Sequence, residues 1–145
     1  MKISTKGRYA LRMMVDLAEN KENGFISLKE IAERQNISKQ YLEQIVALLN
    51  TSNMLKSSRG KQGGYMLSKE PEAYTVDQIL RMTEGNLAPV ACLEDEINTC
   101  EKSDTCKTLF VWSGLNKVIS EYLSSITLQD ILDQHQQRGE NNYVI

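Results

Sequence analysis

Three cysteines, Cys92, Cys100 and Cys106, stand in the pattern Cys-x7-Cys-x5-Cys within a stretch that also carries Glu94, Asp95, Glu96, Glu101 and Asp104. Thiolates are the usual ligands of iron–sulfur clusters, and one flexible loop can wrap three of them around a single inorganic centre. Zinc accepts the same donors, and three unligated thiols are a further reading. The residues alone leave all three open. The N-terminal run Met-Lys-Ile-Ser-Thr-Lys-Gly-Arg lacks the apolar stretch and cleavage site of a signal peptide, so a cytoplasmic location is expected, where thiols stay reduced. No Cys-x-x-Cys motif and no nucleophile–base set is visible, so an enzyme is not expected. The single histidine, His135, reads as an exposed helix residue.

A second set of residues carries hydrogen-bonding chemistry. Gln40, Glu43, Gln44 and Ala47 recur at steps of three and four, so they share one face of a helix. Glutamine can pair with adenine through two hydrogen bonds, and glutamate can accept from the cytosine amino group. A carboxylate facing phosphates is costly unless it makes a specific contact, so Glu43 reads as a discriminator between bases. Downstream, Arg59-Gly60-Lys61-Gln62-Gly63-Gly64 combines two cations with glycines that permit positive φ and close approach to a backbone. Such a tip can lay Arg59 in a minor groove while Lys61 meets phosphates. The run lacks the Gly-Lys-Ser/Thr ending of a P-loop and the spacing of Gly-x-Gly-x-x-Gly. A solvated helix face and a plain flexible hairpin are the alternatives.

The elements that must position these residues announce themselves by their starts. Ser27 with Glu30, Thr75 with Gln78, and Thr127 with Asp130 place a hydroxyl three residues before a carboxylate or amide. Each pair can satisfy orphan N–H groups at a helix start, with aspartate the weaker third member. Ile26 with Ile31, Tyr74 with Ile79, and Ile126 with Ile131 supply hydrophobic staples, and Ser38 repeats the pattern between Ile37 and Leu42. The resulting expectation is a helix from about Thr5 to Asn20, a second from Leu28 to Gln35 and a third from Lys39 to Asn50. A hairpin built on Leu55–Arg59 and Tyr65–Leu67 follows, then a helix over Val76–Glu84. Next come a long helix over Cys106–Ser124 and a short one over Leu128–Gln137. Two helices joined by the tight turn Gln35-Asn36-Ile37-Ser38 and followed by a hairpin form a winged helix-turn-helix.

The expected fold class is mainly α with a small β-hairpin: a winged helix-turn-helix domain plus a long dimerisation helix. Residues 1–85 would be the DNA-binding domain and 86–105 the cysteine-bearing loop. Residues 106–138 would hold the dimerisation and C-terminal helices, and 139–145 a frayed tail. Charge is uneven along the chain as well. Residues 1–70 hold 12 Lys/Arg against 7 Asp/Glu, and residues 71–145 hold 5 against 12. A basic half suits a polyanion; an acidic half does not. No apolar run approaches the length of a bilayer span, so a membrane role is not expected. Leu109, Trp112, Leu115, Ile119 and Tyr122 recur at three- and four-residue steps, a stripe that needs either its own subunit or a mate to cover it.

Met1-Lys-Ile-Ser-Thr-Lys-Gly-Arg-Tyr-Ala10, Tyr41-Leu-Glu-Gln44 and Ser58-Arg-Gly-Lys-Gln-Gly-Gly-Tyr65 together resemble the Rrf2 family of winged-helix regulators, and within it the branch of iron–sulfur cluster regulators. The resemblance reaches to about Asp133. It implies a homodimer whose recognition helices and wings bind a partly palindromic double-stranded DNA operator. It also implies a long helix that crosses its mate and packs on the opposite winged domain. Glu43 and Gln44 fall on base-reading positions, Gln40 on a further recognition-helix contact, and Arg59 on the minor-groove arginine. Lys2, Ser4, Tyr9, Ser38, Tyr41 and Lys61 would be phosphate-side contacts. Cys92, Cys100 and Cys106 would hold an iron–sulfur cluster, [2Fe–2S] favoured over [4Fe–4S]. The implied role is control of iron–sulfur biogenesis genes.

The chain departs from that branch in two ways: the first cysteine gap is longer, and the histidine that often follows the third cysteine by three positions is Leu109. The fourth ligand is therefore unassigned among the nearby acids, a group from a partner subunit and a small thiol. Relatives that sense nitric oxide place an acid where Arg8 stands, and arginine is no ligand. A regulator of cysteine and sulfur metabolism and a nitric oxide or redox sensor are the alternative roles. A zinc-bearing or thiol-redox interaction protein on the same scaffold is a more distant one.

Overall fold

The computed structural model describes the backbone of residues 2–143 and the side chains of residues 2–139. Six helices and one hairpin follow in the order α1 (Thr5–Glu19), α2 (Leu28–Gln35), α3 (Lys39–Asn50), β1 (Leu55–Ser58), β2 (Gly64–Leu67), α4 (Val76–Glu84), α5 (Leu109–Ser124) and α6 (Leu128–Tyr143).

The helix starts form as their caps dictate. Ser27 Oγ accepts from Glu30 N and Ser38 Oγ from Tyr41 N. Thr75 and Gln78 complete a reciprocal capping box. Thr127 and Asp130 complete one too: Thr127 N donates to Asp130 Oδ2 at 2.9 Å, and Asp130 N donates to Thr127 Oγ1 at 3.1 Å. The shorter acid suffices there, whereas Glu30 turns instead toward Arg34, 3.9 Å away. Backbone bonds from Val76 N to Ile126 O and from Leu128 N to Tyr74 O lay the starts of α4 and α6 side by side.

The core gathers Met13, Met14 and Leu17 of α1, Ile31 of α2, Leu42, Ile45 and Leu49 of α3, Ile79 of α4 and Leu128 of α6. β1 and β2 pair antiparallel, Leu55 opposite Leu67 and Ser58 opposite Gly64. Tyr74 ties this hairpin down. Its buried hydroxyl accepts from Ser68 N and Lys69 N and donates to Met54 O at 2.7 Å.

Two expected boundaries move by more than one residue. The long helix begins at Leu109, not Cys106, because no side chain caps it and Cys106–Thr108 remain a turn. α6 runs on to Tyr143, so residues 139–143 are helical where a frayed tail was expected. Residues 144 and 145 lie outside the described residues. Gly139 costs a helix about 1 kcal/mol relative to alanine and does not stop this one. Among the described residues no helix is long and apolar enough to cross a membrane.

Candidate nucleic-acid interface and cysteine loop

The turn between α2 and α3 depends on Asn36, which takes the left-handed conformation (φ 54°, ψ 49°) as the C-cap of α2. Asparagine tolerates that region better than most residues. Ile37 then plunges into the core and Ser38 starts α3. This fixes which side of α3 faces out. Leu42, Ile45, Val46 and Leu49 are buried, while Gln40, Glu43, Gln44 and Ala47 are all exposed on the opposite face. Ser38 Oγ accepts the cap bond from Tyr41 N and keeps its O–H to donate, and Tyr41 is half-buried, its ring edge-on to Tyr9 at 5.5 Å between centroids.

Arg59 and Lys61 project from the hairpin tip, both exposed. The glycines around them serve the fold first. A Cβ on Gly64 would stand 2.2 Å from Ile26 O, because Ile26 and Tyr65 exchange two backbone hydrogen bonds there. A Cβ on Gly63 would stand 2.3 Å from Ser58 O. The backbone closely approached at these two positions is the chain's own. Gly60 alone has open space around it, at φ 103°.

At the N-terminus, Lys2 is exposed. Ser4 is already engaged: its Oγ accepts from Gly7 N as the cap of α1 and donates to Glu84 Oε1 at 2.5 Å, and its N–H donates to the same oxygen. Glu84 ends α4, so this contact joins the beginning of α1 to the point where the cysteine loop departs. A Cβ at Gly7 would fall 2.2 Å from that carboxylate, so a larger residue there would push Glu84 off Ser4.

The loop from Asn86 to Thr108 carries all three cysteines as free thiols. Cys92 is half-buried in a 3-10 turn (Ala91–Leu93), and Cys100 and Cys106 are exposed. Among the described residues, no three His, Cys, Asp or Glu side chains stand together closely enough to hold a metal ion. Cys106 sits just before α5. The Thr108 hydroxyl, 3.6 Å from its sulfur, and the N–H groups of Thr108 and Leu109 hold its thiol below the ordinary range, toward the thiolate.

α5 packs on its own subunit through Ile119 and Leu123, against Val76, Leu80 and Leu87. Arg81 links the two helices, paired with Asp77 at 2.8 Å and reaching Ser120 Oγ at 3.3 Å. The opposite face of α5 is uncovered. Val111, Leu115, Val118 and Tyr122 form an exposed stripe at steps of four, three and four. The expected stripe is thus split: Leu109 and Ile119 turn inward or sideways, and Trp112, Leu115 and Tyr122 stay exposed. Val111 and Val118, absent from the sequence reading, complete the outer seam. Their heptad-like spacing was the available signal. His135 is exposed, as expected.

The profile of the Rrf2 family, described as iron-dependent transcriptional regulator, matches residues 3–134. The chain belongs to the Rrf2 family. It is 43% identical over 131 residues to the HTH-type transcriptional regulator CymR of Bacillus subtilis, covering 90% of this chain and 89% of that protein. It is 34% identical over 152 residues to the HTH-type transcriptional regulator IscR of Klebsiella pneumoniae, covering 98% and 92%. Among solved structures it resembles T. potens IscR, with a TM-score of 0.78, 42% identity and coverage of 95% of this chain and 90% of that one. The mainly helical winged fold and its two-stranded hairpin are those of Rrf2 regulators. As a member, the chain is a DNA-binding transcription regulator, a class that is not enzymatic. Its similarity extends to both the IscR and the CymR branches.

Proposed function

We propose that two copies of this chain join through α5 and read a partly palindromic duplex with α3 and the wing, and that an iron–sulfur cluster held by Cys92, Cys100 and Cys106 biases that reading. The observation that carries the sensing part is the position of the three thiols. They occupy one loop spliced between α4, whose last residue grips the start of α1, and α5, whose outer face is apolar.

The donors suit such a group: three free thiols, one of them held toward its thiolate form, on a loop whose one helical piece is the short 3-10 turn at Cys92. When bound, the cluster supplies a centre whose presence and redox state depend on iron and oxidants. [2Fe–2S] is the favoured type, and the fourth ligand is left to the loop acids, a partner group or a small thiol. The chain's own residues do the rest. Gathering the thiols shortens the loop, which bears on Glu84 and Ser4 at one end and on Leu109 at the other. Coupling of about 1–3 kcal/mol between loop and reading head would change operator affinity 5- to 150-fold.

In the reading head, Gln40, Glu43 and Gln44 contact base edges, with Glu43 selecting between operator classes. Arg59 enters the minor groove. Lys61, Lys2, Tyr9, Tyr41 and Ser38 lie on the phosphate side, with Ser4 contributing only if Glu84 releases it. The stripe on α5 meets its counterpart in a second copy. A groove of about 470 Å³ beside α1, floored by Leu11, Val15 and Ile131, offers a seat for the mate's helix. The genes controlled would be those of iron–sulfur biogenesis, and the protein would act in the cytoplasm.

A second reading, control of cysteine supply, is favoured by the 43% identity to B. subtilis CymR. A nitric oxide or redox sensor would use the same thiols. Protein purified without oxygen decides among them. Iron with acid-labile sulfide and visible absorbance is the expected result, lost when all three cysteines are serine. Zinc without sulfide, or no metal, would overturn the cluster reading in favour of a structural metal or the cysteine-supply role.

A further inference from the structure

Among the described residues Asp16 is the one charged residue in the buried core, 1% exposed among Met13, Met14 and Leu17. Its Oδ1 accepts from Arg34 Nη2 at 2.7 Å. Its Oδ2 accepts from Arg34 Nε at 3.0 Å and from Gln35 Nε2 at 2.9 Å. Both partners lie in the last turn of α2. One helical turn before Asp16, Arg12 closes a second grip on the same place. Its Nε donates to Gln35 Oε1 at 3.3 Å and its Nη2 to the Gln35 backbone carbonyl. That carbonyl is one of the orphan acceptors at the end of α2, where a cation is favoured. Gln35 is thus held by its side-chain nitrogen, its side-chain oxygen and its main chain.

The next residue is Asn36, the left-handed pivot, and two residues further on Ser38 opens α3. The far side of the pivot is reached from Arg12 as well. Its guanidinium lies 5.2 Å over the Tyr9 ring. Tyr9 packs edge-on against Tyr41 in the first turn of α3.

We propose that Arg12 and Asp16 are positioning residues of DNA reading: together they clamp the α2 end of the turn and, through Tyr9 and Tyr41, its α3 end, and so set the angle at which α3 presents its outer face. This rests on α3 being the base-reading helix. Long lysines and arginines can follow a tilted phosphate backbone. Base-edge hydrogen bonds cannot, because they weaken steeply once distance and angle depart from the ideal. Loosening the clamp should therefore cost sequence selection while sparing non-specific affinity.

The experiment uses the full-length chain, a duplex selected from random sequence by the wild-type protein, and a scrambled duplex of equal length. Variants are Arg12→Ala, Arg12→Lys, Asp16→Asn and, as control, Gln44→Ala. Binding-competent protein is counted by stoichiometric titration, so partial unfolding does not enter the result. In Arg12→Ala and Asp16→Asn, the ratio of selected to scrambled affinity should fall by about 10-fold, on the order of one good base contact. The slope of affinity against salt should hold. Arg12→Lys keeps the charge but not the fork and should not rescue. If Asp16→Asn does not fold, Arg12 carries the test alone; because Arg12 also lines the groove offered to the mate's helix, sedimentation equilibrium is run on each variant, and a loss of selection that merely follows loss of the dimer overturns the proposal. An unchanged ratio in the Arg12 and Asp16 variants, or full rescue by lysine, overturns the proposal when Gln44→Ala does lose selection. An unchanged ratio in Gln44→Ala sinks the reading of α3 and the clamp proposal with it.

Discussion

Val118→Glu tests the assembly on which a palindromic reading depends. In the single subunit Val118 is 60% exposed at the centre of the outer α5 stripe. Full burial of a valine side chain contributes about 1.5–3 kcal/mol. The uncovered three-fifths therefore corresponds to about 1–2 kcal/mol per subunit, and to about 2–4 kcal/mol for the pair, since symmetry repeats every change. The dimer dissociation constant should rise by about 30- to 700-fold from lost apolar contact alone, with a buried carboxylate adding to it. The folded subunit should hardly notice. Val118 touches no core residue cluster, glutamate favours helix more than valine does, and surface changes of this kind fall within about 0.5 kcal/mol. Sedimentation equilibrium over a dilution series reads the constant, and circular dichroism checks the helix content. A variant that assembles as tightly as wild type would refute the use of this face.

Tyr74→Phe should lower unfolding free energy by about 0.5–1.5 kcal/mol, because Lys69 N loses the oxygen it donates to while Ser68 N and Met54 O keep their own bond at 3.2 Å; urea titration reads it, and an unchanged midpoint contradicts it. Thr108→Val removes the largest cause of the depressed Cys106 thiol. In a Cys92→Ser, Cys100→Ser background, the pH profile of Cys106 alkylation should move to higher pH, since the thiolate then needs a higher pH to form. A profile that stays in place would remove the hydroxyl's role. Arg59→Ala should weaken operator binding and erase preference for a narrow minor groove, as measured by fluorescence anisotropy on duplexes with and without A-tracts; unchanged affinity and selectivity would leave the wing without a reading function.

The sequence disclosed most where interactions are local. Hydroxyl caps fixed the starts of α2, α3, α4 and α6, because a cap and its N–H partner lie three residues apart. The exposed row Gln40, Glu43, Gln44 and Ala47 followed from period alone. What was missed depends on chain segments far apart. Gly64 looked free to approach a ligand, yet Ile26, almost forty residues away, occupies that space, while the space at Gly63 is taken by the hairpin's own Ser58 backbone. An aspartate at a core position of α1 was a readable sign of a buried pair, but its partners Arg34 and Gln35 become evident only in the fold. The apolar steps of α5 were legible, though which of them faces outward was not: period does not say where the rest of the domain sits. The three cysteines were found by type and spacing, and the structure keeps them apart.

Filling the cysteine loop should change how the reading head grips DNA. Operator affinity should be measured on one oxygen-free preparation before and after its iron is removed by chelation, beside the Cys92→Ser, Cys100→Ser, Cys106→Ser triple variant. The wild type should shift by about 5-fold or more, or change its preferred site, with the triple variant matching the iron-free protein throughout. Equal affinity and equal site preference in all three samples would contradict it.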